Sequence, residues 1–97
     1  MWVVTPRRLT EFSTKYTQAK LPLLYWYEKT KKASWRNFSE IRQDFPSTDY
    51  VGRNRFVFNV KGNDFRLIAI IIFASQKVYI RFIGTHLDYD KVDVRNI

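Results

Sequence analysis

From Phe65 to Phe73 the chain is apolar on both faces of an extended backbone, interrupted only by Arg66. A stretch of that kind has to be a central strand covered from two sides, because a half-exposed strand would alternate. Its longest unbroken apolar run, Leu67 to Ala74, is eight residues, far short of the ~20 needed to cross a bilayer as a helix. The neighbours of this strand do alternate. Phe56, Phe58 and Val60 fall on one face of the preceding segment, with Arg55, Val57 and Asn59 on the other. Lys61-Gly62-Asn63-Asp64 supplies the turn of a hairpin between the two. After a second turn at Gln76-Lys77, Val78, Ile80 and Phe82 alternate with Lys77, Tyr79 and Arg81.

The first half of the chain has a helical period. Trp2-Val3-Val4 reads as a short strand, and Thr5-Pro6 opens a helix, with Thr5 as cap and Pro6 at the first helical position. Leu9, Phe12 and Tyr16 form its apolar stripe. A second helix is expected over 21–33, with Leu23, Trp26, Tyr27 and Thr30 inward and Lys29, Lys31 and Lys32 on a solvated face. Asn37, three residues before Glu40, starts a short third helix with Phe38, Ile41 and Phe45 on one face, and Pro46 ends it. Trp26 and Trp35 read as core. The expected fold class is α+β in the order β-α-α-α-β-β-β: one domain over 1–97, with helices packed on one face of a small, mainly antiparallel sheet. The opposite face is expected to show Arg55, Asn59, Arg66, Tyr79 and Arg81 around Val57 and Ile68.

That face carries part of a net charge of +8. Residues 1–45 hold nine Lys/Arg against four acids and residues 46–97 eight against five, so the basic groups belong to the folded body. Such a charge suits a polyanion, nucleic acid above all, or an acidic protein. The absence of cysteine excludes disulfides and thiolate chemistry and fits a reducing, cytoplasmic setting. One histidine and no cysteine leave no reason to expect zinc or another metal, and nothing in the chain calls for a cofactor. Met1-Trp2-Val3-Val4 is followed at once by Pro6-Arg7-Arg8, which is unlike a secretory signal, and no membrane partner is expected.

The closing stretch Thr85-His86-Leu87-Asp88-Tyr89-Asp90-Lys91 holds that one histidine. Cleaving RNA without a metal needs a group to take the 2′-hydroxyl proton, cations to stabilise the phosphorane, and a donor for the leaving 5′-oxygen. His86 suits either proton transfer, and Arg66 and Arg81 offer permanently charged forks for phosphate oxygens. Tyr79 and Tyr89 suit stacking on bases or hydroxyl contacts, and Asp90 suits orienting His86 or raising its pKa. Each also has a plainer role. His86 suits a surface or capping position, Arg66 an ion pair with Asp64 or Asp88, and Tyr89 the core.

The chain resembles the HigB family of bacterial toxins, a branch of the RelE-like ribosome-dependent RNA endonucleases. The resemblance runs through Trp26-Tyr27, Lys31-Lys32-Ala33, Trp35, Asn37-Phe38 and Phe45-Pro46-Ser47, then Val57-Phe58-Asn59-Val60, Gly62-Asn63, Phe65-Arg66-Leu67-Ile68 and Thr85 to Lys91. It implies a RelE-like fold, cleavage of mRNA in the ribosomal A site, and a cognate antitoxin. That antitoxin would carry a helix-turn-helix DNA-binding domain, so operator DNA is reached only through it. The resemblance puts the active site at Arg66, Arg81, His86, Tyr89 and Asp90, with Arg55, Asn59, Lys61, Tyr79 and Lys91 as RNA contacts. Two departures stand out: Leu87-Asp88, where the family commonly has Glu at the second position, and a less basic ending, Val92 to Ile97.

Two other readings use the same charge. One is a non-catalytic RNA- or ribosome-binding module that inhibits translation by occupancy and does not need His86. The other is an interaction protein whose basic face meets an acidic partner.

Overall fold

A computed structural model describes residues 1–97. Nine elements follow one another: β1 (Trp2–Val4), α1 (Arg7–Lys15), α2 (Lys20–Lys32), α3 (Phe38–Asp44), β2 (Asp49–Gly52), β3 (Arg55–Val60), β4 (Phe65–Ile72), β5 (Lys77–Thr85) and α4 (His86–Asp90). A 3₁₀ turn at Thr17–Ala19 joins α1 to α2. The strands form one sheet in the order β1-β5-β4-β3-β2, antiparallel throughout except that β1 runs parallel to β5.

The central position of β4 follows from its two apolar faces: Leu67, Ile68, Ala69 and Ile71 are all fully buried. On one side α1 and α2 cover it. Leu9, Leu23 and Trp26 from these helices join Phe56, Phe58, Val60, Phe65, Leu67, Ala69, Ile71, Val78 and Ile80 in one core cluster. Aromatic edges fix how the layers meet. Trp26 stands edge-on to Phe58 at 5.4 Å and Phe12 edge-on to Phe65 at 5.5 Å, contacts worth about 0.5–1.5 kcal/mol each beyond their buried area. Trp35 is buried too, stacked on Phe58 with its Nε1 donating to Asp44 Oδ2 at 2.8 Å. Asn37 caps α3 as expected, accepting from Glu40 N. The Glu40 carboxylate turns instead to Arg36, whose guanidinium holds it below the usual carboxylate range.

Several expectations need correction. Two elements went unread, β2 and α4. β2 is a four-residue edge strand that starts among loop-forming residues, and α4 is a single short helix. Thr5 is not a cap: its backbone sits at φ +60°, its side chain makes no capping bond, and Pro6 occupies the N-cap. Phe82 does not share a face with Val78 and Ile80. Ile68 pairs with Phe82 but Ala69 pairs with Ile80, which leaves Arg81 as the extra residue of a β-bulge. A one-residue slip reverses every side chain beyond it, so Ile83 rather than Phe82 packs on the helix-side core.

The bulge lies where β5 loses its other neighbour, since β1 ends at Val4, opposite Tyr79. Arg8 of α1 covers this bare edge, donating from Nη1 to Ile80 O at 2.6 Å. Val57 and Ile68 also differ from expectation. They lie on the face away from α1 and α2, yet they are 3% and 0% exposed. That face is not open, because α4 and the segment after it lie on it.

Candidate functional site

Register sets out the face opposite the helices row by row. Asn59, Arg66 and Gly84 stand side by side across β3, β4 and β5. The next row is Val57, Ile68 and Phe82, and beyond it come Arg55, Ile70 and Tyr79. Successive rows are two residues apart, so the first and last are about 13 Å apart along the strands.

α4 closes the first row. Thr85 Oγ1 accepts from Asp88 N at 3.1 Å and Asp88 Oδ2 accepts from Thr85 N at 3.3 Å, a reciprocal capping box that starts the helix at His86. His86 N donates to Asp64 O at 3.2 Å and fastens the helix to the β3–β4 turn. Gly84 allows the close approach. A Cβ there would lie 2.5 Å from the Phe82 ring and 3.1 Å from Asp88 Cβ.

Three of the proposed catalytic side chains come together on this helix, with a fourth beneath it. The Arg66 guanidinium lies 5.7 Å from the centre of the Tyr89 ring, a cation–π contact, and donates to Asn63 O at 3.3 Å. It pairs with neither Asp64 nor Asp88, which are engaged by Lys61 and by the capping box. One turn along α4, His86 Nδ1 is 3.2 Å from Asp90 Oδ2, with both side chains about half exposed. With Nδ1 set on Asp90, Nε2 is the ring nitrogen left for a proton transfer. Arg66, Tyr89, His86 and Asp90 thus form one group, with Asn59 beside Arg66 in register. Lys91 follows directly and is exposed.

The other expected residues are placed differently. Arg81 is exposed at the bulge, three residues and about 10 Å along β5 from Gly84. Lys61 is held by Asp64 at 3.2 Å and Gln18 at 3.0 Å. Arg55 and Tyr79 lie in the far row. Arg55 is bound to the closing segment, its Nε and Nη2 donating to the main-chain oxygen of Ile97 at 2.9 and 2.5 Å. No group of three or more His, Cys, Asp or Glu side chains is placed to hold a metal ion. No helix is long and apolar enough to cross a membrane.

The sequence model of the HigB toxin, described as the RelE-like toxic component of a toxin–antitoxin system, matches residues 19–92. The chain belongs to the HigB toxin family. Among HigB relatives it is 36% identical over 93 residues to the mRNA interferase toxin HigB of Escherichia coli (strain K12), a span covering 93% of this chain and 88% of the relative. The same figures hold for the mRNA interferase HigB of Shigella flexneri. The mRNA interferase HigB of Escherichia coli O6:H1 is 31% identical over 94 residues, covering 95% and 91%. The α+β fold with its mostly antiparallel sheet is compatible with the RelE-like description. The HigB match includes every candidate site residue and stops before the segment 93–97.

The sequence reading had missed two contributors to this site, the capping pair Thr85 and Asp88 and the close-packed Gly84. The pair carries a readable signal, a threonine followed three residues later by an acid.

Proposed function

We propose that this toxin is an mRNA interferase, a ribosome-dependent endoribonuclease that cuts mRNA in the A site and so stops translation. The observation that carries the reading is Arg66, a guanidinium without a carboxylate partner, set on the Tyr89 ring next to the His86–Asp90 pair. The relatives' name, mRNA interferase, supports the same reading.

In this reading the RNA backbone lies over Arg66, whose fork binds the non-bridging oxygens of the scissile phosphate and stabilises the charge gained in the phosphorane. The 2′-oxygen loses its proton and attacks the adjacent phosphorus. The bond from phosphorus to the 5′-oxygen breaks, and that oxygen takes up a proton. His86 serves one of these two transfers, oriented by Asp90. Tyr89 offers a ring for a neighbouring base. Arg81 and Lys91 add positive charge around the phosphates. A cognate antitoxin with a helix-turn-helix domain completes the system, and a substrate on the ribosome places the toxin in the cytoplasm.

Cleavage sites mapped by primer extension after a pulse of expression test this directly. Wild type should cut mRNA only when it is being translated. His86→Ala should lower the rate by about 10²–10⁴-fold, the usual worth of one positioned proton transfer, and Arg66→Ala should also be strongly impaired. Unchanged cutting by both variants would remove the site. Toxicity of His86→Ala without mRNA cuts would instead establish inhibition by occupancy.

A further inference from the structure

On β1, Val3 joins the helix-side core, so Trp2 and Val4 lie on the opposite face, the one that carries Arg66. Register continues the rows of that face to its far end. Val4 stands in line with Tyr79, Ile70 and Arg55, and one row further Trp2 stands in line with Lys77 and Ile72. Trp2 is 66% exposed, the most open aromatic side chain of the molecule, whereas Trp26 and Trp35 are each 2% exposed. Lys77 Nζ lies 5.5 Å from the centre of the Trp2 ring, a cation–π contact. Val4, Ile70, Ile72 and Tyr79 are half-buried, an apolar floor still open to solvent.

We infer that Trp2, with Lys77 against it, is a stacking platform for an unpaired RNA base, at the end of the substrate face remote from α4. The inference rests on the nuclease reading, since it takes RNA as the ligand. An exposed tryptophan beside a lysine combines the two parts of a single-strand site, a ring that accepts any base and a cation for the backbone. No acidic residue stands in either of the two rows, so their charge suits a polyanion. Ile72, in the row of Trp2, is six residues along β4 from Arg66, about 20 Å. Between the two sites β5 presents exposed Arg81 and half-buried Tyr79, which continue the sequence of cation and ring towards Lys77 and Trp2. Trp2 lies outside the residues 19–92 matched by the toxin model, so the platform is read from this chain alone.

Trp2 supplies its own reporter, because the other two tryptophans are buried. A short single-stranded RNA titrated into the full chain should quench tryptophan fluorescence, and Trp2→Phe should remove the quench while keeping most of the affinity. Trp2→Ile keeps an apolar, strand-forming side chain and loses the ring. Its affinity, read by anisotropy, should fall about fivefold or more, the lower end of what one aromatic–base stack contributes. An abasic strand of the same length keeps its phosphates and should bind wild type and Trp2→Ile alike. Binding is read without cleavage, so failure of the catalytic proposal and failure of this one are separable.

Ribosome co-sedimentation of the same variants identifies the source of the base. A Trp2→Ile loss seen with the oligonucleotide assigns the platform to the mRNA strand, and a loss seen only on ribosomes assigns it to an unpaired base of ribosomal RNA. Equal binding of wild type and Trp2→Ile in both assays, or an equal loss on the abasic strand, would overturn the inference. A lower melting temperature with RNA binding unchanged would reduce the Trp2–Lys77 contact to a guard of the β1 edge. Weaker antitoxin binding with RNA binding unchanged would make the patch a protein-docking surface instead.

Discussion

Thr30 Oγ1 and Trp26 Nε1 lie one turn apart on the inner side of α2, both buried and both without a hydrogen-bond partner. A buried polar atom left unpaired costs about 1–3 kcal/mol. Replacing the hydroxyl with a methyl of the same shape should recover part of that. Thr30→Val is expected to stabilise the fold by about 1 kcal/mol, a rise of roughly 4–8 °C in melting temperature for a chain of this size. A lower melting temperature by calorimetry would mean that the hydroxyl is partnered in solution. At this scale the sequence was most legible where period alone decides burial. Leu9, Leu23, Trp26, Ile41, Phe56, Phe58 and Val60 all face the core as their spacing implies. Arg66 was legible as an anomaly in an apolar strand, but the choice between an acid partner and a free cation needed the positions of Asp64 and Asp88. Phe82 was misread because its placement depends on the bulge at Arg81, and nothing in the alternation of β5 announces an extra residue there.

Among the helices, α4 is the shortest, and it carries three of the proposed catalytic side chains. A helix of five residues has almost no stability of its own, because nucleation consumes more order than so few hydrogen bonds return. Its persistence depends on the capping box, the bond from His86 N to Asp64 O, and the seat over Gly84. Thr85→Val removes the side-chain acceptor while keeping the β-branched shape. Loss of such a cap costs about 1 kcal/mol, and it should loosen α4 before it unfolds the sheet. The expected result is faster amide hydrogen exchange across 86–91 and reduced mRNA cutting, with the melting temperature nearly unchanged. Equal loss of protection in β4 would show that α4 is not a separate unit. The long helices and the central hairpin were readable because each carries many periodic residues. β2 and α4 were not, since four or five residues carry too little period to stand out from a loop.

For the whole molecule, the excess of eight positive charges sets the approach to RNA. If Arg66, Arg81 and Lys91 each neutralise one phosphate of a single strand, log K for RNA should fall with log salt at a slope near −2, from about −0.7 per contact. Titration from 50 to 200 mM salt measures it. A flat response would favour an interaction surface for a protein partner over an RNA-binding face. The charge was plain in the sequence, and so was the division into helices and then strands. The path of the last residues was not, since Val92 to Ile97 has no pattern that says where it comes to rest.

The parallel pairing of β1 with β5 has a bearing on when the protein becomes dangerous. Val3 registers with Val78, so the sheet edge formed by β1 waits for a strand 75 residues further along. Closing a loop of that length is slow compared with forming the local hairpins. During synthesis, α1, α2 and the β2–β3 hairpin emerge while β1 has no partner and α4 has no platform. The bulge, the Arg8 contact to Ile80 and the His86 group can form only once β5 is present. The proposed site therefore comes together only after β5 and α4 have been made, simply by the order in which the strands are laid down.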